Sequence, residues 1–152
     1  MMLTQKETTL LKDLRSHEQL CVDKYNKYAQ QACNEQLRNL FNQIAQTEQE
    51  HVKTLDQIAS GTVPQMNSSS SNQQASNPMQ GNASYSANEK QQDQYLCDDA
   101  LSTEKYISSS YNTSIFEFRD QNIRNTLNHI QKEEQQHGEQ IYNFMSKNGM
   151  YQ

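Results

Sequence analysis

Two Glu-x-x-His tetrapeptides limit this chain more than any other feature. Glu48-Gln49-Glu50-His51 and Glu134-Gln135-Gln136-His137 lie inside strongly helical runs, 86 residues apart. On a helix, residues three apart share a face. Each tetrapeptide therefore presents a carboxylate and an imidazole side by side. The same offset carries Glu18 onto Glu104. Two Glu and two Glu-x-x-His motifs make the ligand set of a dinuclear iron or manganese carboxylate site in a four-helix bundle. The spacing thus selects Glu18, Glu48, His51, Glu104, Glu134 and His137 as candidate ligands for two divalent ions, Fe or Mn.

Four stretches carry the apolar spacing such a bundle needs. Over residues 7–32, Leu11, Leu14, Glu18, Cys21, Tyr25, Tyr28 and Ala32 alternate in steps of three and four, a heptad-like seam. A second helix is expected from Glu35 to Ser60, with Asn34 as its N-cap. Its seam is Leu37, Phe41, Ile44, Glu48, His51, Leu55 and Ile58. Gly61 and Pro64 should stop it. A third, from Glu89 to Phe118, carries Cys97, Ala100, Glu104, Ile107, Tyr111, Ser114 and Phe118. Its Ser108-Ser109-Ser110 run is poor helix material, so packing must hold it. A fourth, capped by Asp120 and ended by Gly149, carries Ile123, Leu127, Ile130, Glu134, His137, Ile141 and Phe144. All six candidate ligands fall on seams.

Between the pairs, residues 62–88 differ in kind. Runs of Ser, Asn and Gln with almost no aliphatic residues cannot bury enough surface to order themselves. Random-coil scaling gives such a segment a reach of roughly 30 Å, and a 25-residue helix is about 37 Å long. The linker can therefore cross a bundle end to end, as in ferritin-like folds. The expectation is one all-α domain over 1–152: hairpin 1 at 7–61, a flexible crossover linker at 62–88, and hairpin 2 at 89–149. The hairpins read as an internal duplication. At the 86-residue offset they share Tyr25/Tyr111, Arg38/Arg124, Asn42/Asn128 and Ile44/Ile130 besides the ligand pairs.

Composition narrows the alternatives. Hydrophobic residues make up 33% of the 152, enough for a narrow seam and too little for a thick α/β core. A net charge of −5 argues against nucleic acid and anionic membranes as partners. No apolar run approaches the ~20 residues that span a bilayer. Met1 to Arg15 lacks the apolar core of a secretory signal, so synthesis in the cytoplasm is expected. The three Cys form no C-x-x-C pair and read as free, buried or half-buried thiols.

The seam carboxylates call for cations. An unpaired buried carboxylate costs several kcal/mol even after relaxation. Four are expected at one level here, with no Lys or Arg on the seams. Two divalent ions would neutralise them, and carboxylate with imidazole suits Fe and Mn. His17 and His129 lie off the seams and read as solvated. Tyr25 and Tyr111 read as core residues with satisfied hydroxyls. The sharper alternative is a hydrogen bond that supports one of the metal ligands, or an oxidisable group beside the metals.

With these residues in view, the chain resembles the coat F family of endospore-forming bacteria, which has a ferritin-like fold. The resemblance is carried by "QLRNLFNQIAQTEQEHVKTLDQIASGTVP" (Gln36 to Pro64) and by the stretch from Leu101 to Tyr151. It implies a protein of the spore coat whose partners are other coat proteins, with a homodimer as a further assembly. The ligand pattern is also similar to that of rubrerythrins, bacterioferritins and manganese catalases. That similarity implies the alternative of a di-metal redox enzyme, removing peroxide or oxidising Fe(II). Three departures separate the chain from those enzymes. It has no rubredoxin-type Cys pairs. Ile107 stands where rubrerythrins carry an extra Glu. Gln49 stands where bacterioferritins have their haem-binding Met, and there is no fifth helix.

Overall fold

A computed structural model describes residues 2–64 and 85–150. They form four helices: α1 (Gln5–Gln31), α2 (Glu35–Ala59), α3 (Ala87–Ile115) and α4 (Gln121–Lys147). No strand occurs among the described residues, and no helix there is long and apolar enough to cross a membrane.

Local chemistry sets the helix ends. Two helices begin earlier than the seam pattern suggested. The Thr4 hydroxyl accepts from Glu7 N while the Glu7 carboxylate accepts from Thr4 N, a complete capping box, so α1 starts at Gln5. Ser86 caps α3 by accepting from Glu89 N, so Ala87 and Asn88 are helical rather than linker. Asn34 and Asp120 cap α2 and α4 as expected. Gly61 (φ 94°) and Gly149 (φ 67°) adopt the left-handed conformation that ends α2 and α4. The end of α3 was misread: it stops at Ile115, and a turn follows that still buries Phe118.

All 28 expected seam residues are buried. Even the serine run of α3 stays helical. Ser109 and Ser110 return their hydroxyls to the carbonyls of Lys105 and Tyr106, and Ile107 and Tyr111 are packed in the core on either side of them.

The helices pack as two antiparallel pairs, α1 with α2 and α3 with α4, laid so that α1 faces α3 and α2 faces α4. Contacts of α1 with α3 run in opposite senses: Tyr111 meets Glu18, Tyr25 meets Glu104, and Gln92 meets Gln31. So α3 points opposite to α1 and parallel to α2. Pro64 leaves the bundle at the end where α1 begins, and Tyr85 re-enters at the other. Most of the expected linker, residues 65–84, lies outside the described residues.

Two buried acids tie the pairs together at their ends. Glu7 accepts from the backbone N–H and guanidinium of Arg119 in the α3–α4 turn. Asp93 accepts from the backbone N–H groups of Cys33 and Asn34 in the α1–α2 turn. Arg38 and Arg124 brace those turns from within, each donating to two turn carbonyls. The backbone bonds of Cys33 to Asp93 and of Arg119 to Glu7, and the carbonyl contacts of Arg38 and Arg124, recur at the 86-residue offset.

Candidate metal centre

Burial brings all six expected ligand residues to one level at the middle of the bundle, none more than 5% exposed. α1 supplies Glu18, α2 Glu48 and His51, α3 Glu104, and α4 Glu134 and His137. Their ligand atoms form two groups, each with all atoms within 4.8 Å of one another: Glu18, Glu48, His51 and Glu134; and Glu48, Glu104, Glu134 and His137. Glu48 and Glu134 belong to both. The arrangement has the connectivity of a two-ion site, with two shared carboxylates in the middle and one Glu–His pair at each end.

Both imidazoles turn Nδ1 inward. His51 Nδ1 lies 3.0 Å from Glu134, 3.3 Å from Glu48 and 3.5 Å from Glu18. His137 Nδ1 lies 2.8 Å from Glu48 and 3.5 Å from both Glu104 and Glu134. On the outer side, His51 Nε2 sits 3.0 Å from Glu133, which also meets His129. A carboxylate at Nε2 keeps a proton there and leaves Nδ1 as the nitrogen to meet a cation. The sequence reading missed Glu133, because it lies off the seam and is a third exposed. The one signal for it was its position four residues after His129. His17 was also misread: it is half-buried, edge-on to Tyr106. His129 is exposed as expected.

The seam tyrosines reach the same carboxylates from the opposite pair. Tyr25 donates to Glu104 and Tyr111 to Glu18, both at 2.5 Å. Burial and the neighbouring carboxylates hold both phenols well above their ordinary range, so they remain donors. The core reading, with satisfied hydroxyls, holds, and the groups the hydroxyls meet are carboxylates of candidate ligands.

The residues fit divalent ions on the strength of their unmet atoms. One oxygen of each of the four Glu, and His137 Nδ1, are buried with no hydrogen-bond partner. Glu48 Oε1 and His137 Nδ1 lie 2.8 Å apart without good donor–acceptor alignment. Buried polar atoms are rarely left unpaired. Protons are a second form of compensation. Burial and the facing carboxylates push Glu18 and Glu48 up, and Glu104 up to about 8. Burial works against charge on His51 and His137, but the surrounding carboxylates outweigh it and hold both well above the usual imidazole value.

Cys21 and Cys97 are buried and Cys33 is half-buried, all as free thiols. Burial and the nearby carboxylates of Glu48, Glu18, Glu134 and Glu104 push the Cys21 thiol far up, which keeps it protonated.

No curated protein and no solved structure matches the chain. A family model described as the Coat F domain matches residues 92–152, covering most of α3 and the whole of α4 with three of the six candidate ligands, and this match supports the coat F family.

Proposed function

We propose that this chain is a spore-coat-associated protein, folded as one ferritin-like unit, whose bundle holds a dinuclear Fe or Mn carboxylate site. The coat assignment rests on the Coat F domain match. The ferritin-like assignment is supported by helix directions that require a long connection between the second and third helices. The metal assignment rests on one observation above all: two four-residue ligand groups that share Glu48 and Glu134.

Glu18 and His51 would hold one ion and Glu104 and His137 the other, with Glu48 and Glu134 available to both. When bound, such a pair would supply Lewis acidity and one-electron chemistry. The chain's own residues do the rest. Tyr25 and Tyr111 orient the terminal carboxylates, Glu133 fixes the His51 tautomer, and Ile44, Ile107 and Ile130 restrict water at that level. Partners in the coat are other coat proteins, and a second copy of the chain is a further candidate.

A catalytic role, as a peroxide-removing or Fe(II)-oxidising enzyme, is favoured by a cleft of about 560 Å³ that opens onto Glu104 and Glu134. The test is metal analysis of protein purified without chelator. Oxygen evolution from peroxide and Fe(II) oxidation are then assayed after separate loading with Fe and Mn. Two ions per chain and activity that falls in Glu48→Gln and Glu134→Gln support the enzyme. Two ions without activity leave a structural metal site in a coat protein. No metal under any loading condition refutes the site.

A further inference from the structure

The two ion positions are built alike but walled differently. Between α3 and α4, the cleft that reaches Glu104 and Glu134 passes Ser108 and Gly138. At the 86-residue offset, the residues on α1 and α2 are Val22 and Val52. Both valines are buried, at 7% and 3% exposure. Above them Arg15 and Asp56 form an ion pair at 2.6 Å, where the cleft has Leu101 and Tyr142. One wall is thus closed by two branched side chains and a salt bridge. The other is opened by a hydroxymethyl group and a missing side chain.

Gly138 has no conformational reason to be glycine. It lies in the middle of α4 without positive φ, and a Cβ built there would meet nothing within 4 Å. A mid-helix glycine costs about 1 kcal/mol relative to alanine, and no close backbone approach explains it. What it provides is the open space itself. That space is large enough for a hydrated ion: six waters at about 30 Å³ each occupy about 180 Å³, well within the 560 Å³ cleft.

We propose that the α3–α4 cleft at Ser108 and Gly138 is the entrance by which a hydrated divalent cation reaches the cluster, arriving first at the Glu104–His137 position, while Val22 and Val52 seal the Glu18–His51 position. This rests on the dinuclear reading above. It adds a route and an order of filling that the ligand set alone does not contain.

Co(II) uptake by the full chain, stripped of metal and followed by its visible absorption in stopped flow, tests it. Ser108→Val with Gly138→Val reproduces the closed wall on the open side. The variant should load at least tenfold more slowly than the parent, with the same final Co(II) content and the same equilibrium gain in Tm. Gly138→Ala, which places a methyl group in open space and favours the helix, should slow loading by a smaller factor and covers any folding defect of the double variant. A parent that loads while both variants load equally fast overturns the entrance and leaves the metal site standing. A parent that takes up no Co(II) overturns both.

Discussion

Because Glu48 and Glu134 lie in both ligand groups and each histidine in only one, single substitutions should separate into two classes by metal count. His51→Ala removes one ligand from the Glu18 group and leaves Glu48, Glu104, Glu134 and His137 intact. The parent should bind two ions per chain and His51→Ala one, with His137→Ala its mirror. Glu48→Gln keeps the side-chain shape but strips a charge from both groups, so both ions should be lost or severely weakened. The same ordering should appear in stability. At free metal of about 100 Kd, an ion that binds only the folded chain contributes about 2.7 kcal/mol. For a domain of this size each kcal/mol moves Tm by about 2–4 °C, so one ion raises Tm by about 5–11 °C. Two ions give about twice that. The assay is elemental analysis with differential scanning calorimetry, each protein measured with and without Mn(II). Taking the metal-dependent difference within each protein removes whatever the substitution does to the metal-free fold. Equal metal content in His51→Ala and Glu48→Gln would refute the shared-carboxylate geometry, even if the parent binds two ions.

Three further outcomes follow from the protonation and hydrogen bonding of buried groups. In the metal-free protein, Glu104, His51 and His137 bind protons more tightly when folded, so the stability they contribute is lost as pH rises from the unfolded values through the folded ones. Tm without metal should therefore fall as pH rises from about 4.5, the ordinary value of Glu104, through its folded value of about 8, and stay flatter with Mn(II) bound, and calorimetry in buffers of different ionisation heat should register protons released on metal binding. Glu7 has the opposite sign. Burial opposes its charge, but hydrogen bonds from Thr4 and Arg119 outweigh that and hold the carboxyl below its ordinary value, so its stabilisation is present above about pH 4.5 and is lost as pH falls through the folded value; urea melts of Glu7→Gln should lose that acid limb. Tyr111→Phe and Tyr25→Phe each remove a donor to a buried carboxylate and should cost about 1–3 kcal/mol in urea melts, with no loss at all refuting the assigned contacts.

The four seams were legible because their signal is periodic and energetic at once. A residue placed every three or four positions on an otherwise polar chain has one way to leave water, and every one of them is buried. The six candidate ligands were legible for the complementary reason: charge on a seam violates that economy and so stands out. The contacts missed are off-seam or long-range. Glu7 looks like an ordinary first-turn acid, yet it also accepts from Arg119, 112 residues away. Asp93 likewise looks like a surface acid of a polar stretch until it meets the turn at Cys33. Neither partner could be read locally, although the 86-residue offset does map Glu7 onto Asp93 and Cys33 onto Arg119. The early starts of α1 and α3 were available from Thr4 and Ser86, each three residues before a Glu. They went unread because the seams begin later than the caps.

The four helices share one apolar core, to which Leu37, Phe41, Ile123 and Leu127 all belong. Polar contacts also cross from one pair to the other: Tyr25 with Glu104, Tyr111 with Glu18, Glu7 with Arg119, Asp93 with Asn34. The ligand groups cross in the same way. Each takes three residues from one pair and one from the other: Glu134 completes the group of Glu18, Glu48 and His51, and Glu48 completes the group of Glu104, Glu134 and His137. An ion in either group is therefore a bond across the pairs. Without ions, four facing carboxylates at that level push the pairs apart unless protons neutralise them. Metal would then act first on how firmly the second pair of helices, with its connection from Pro64 to Tyr85, is held against the first, and only secondarily on the stability of either pair.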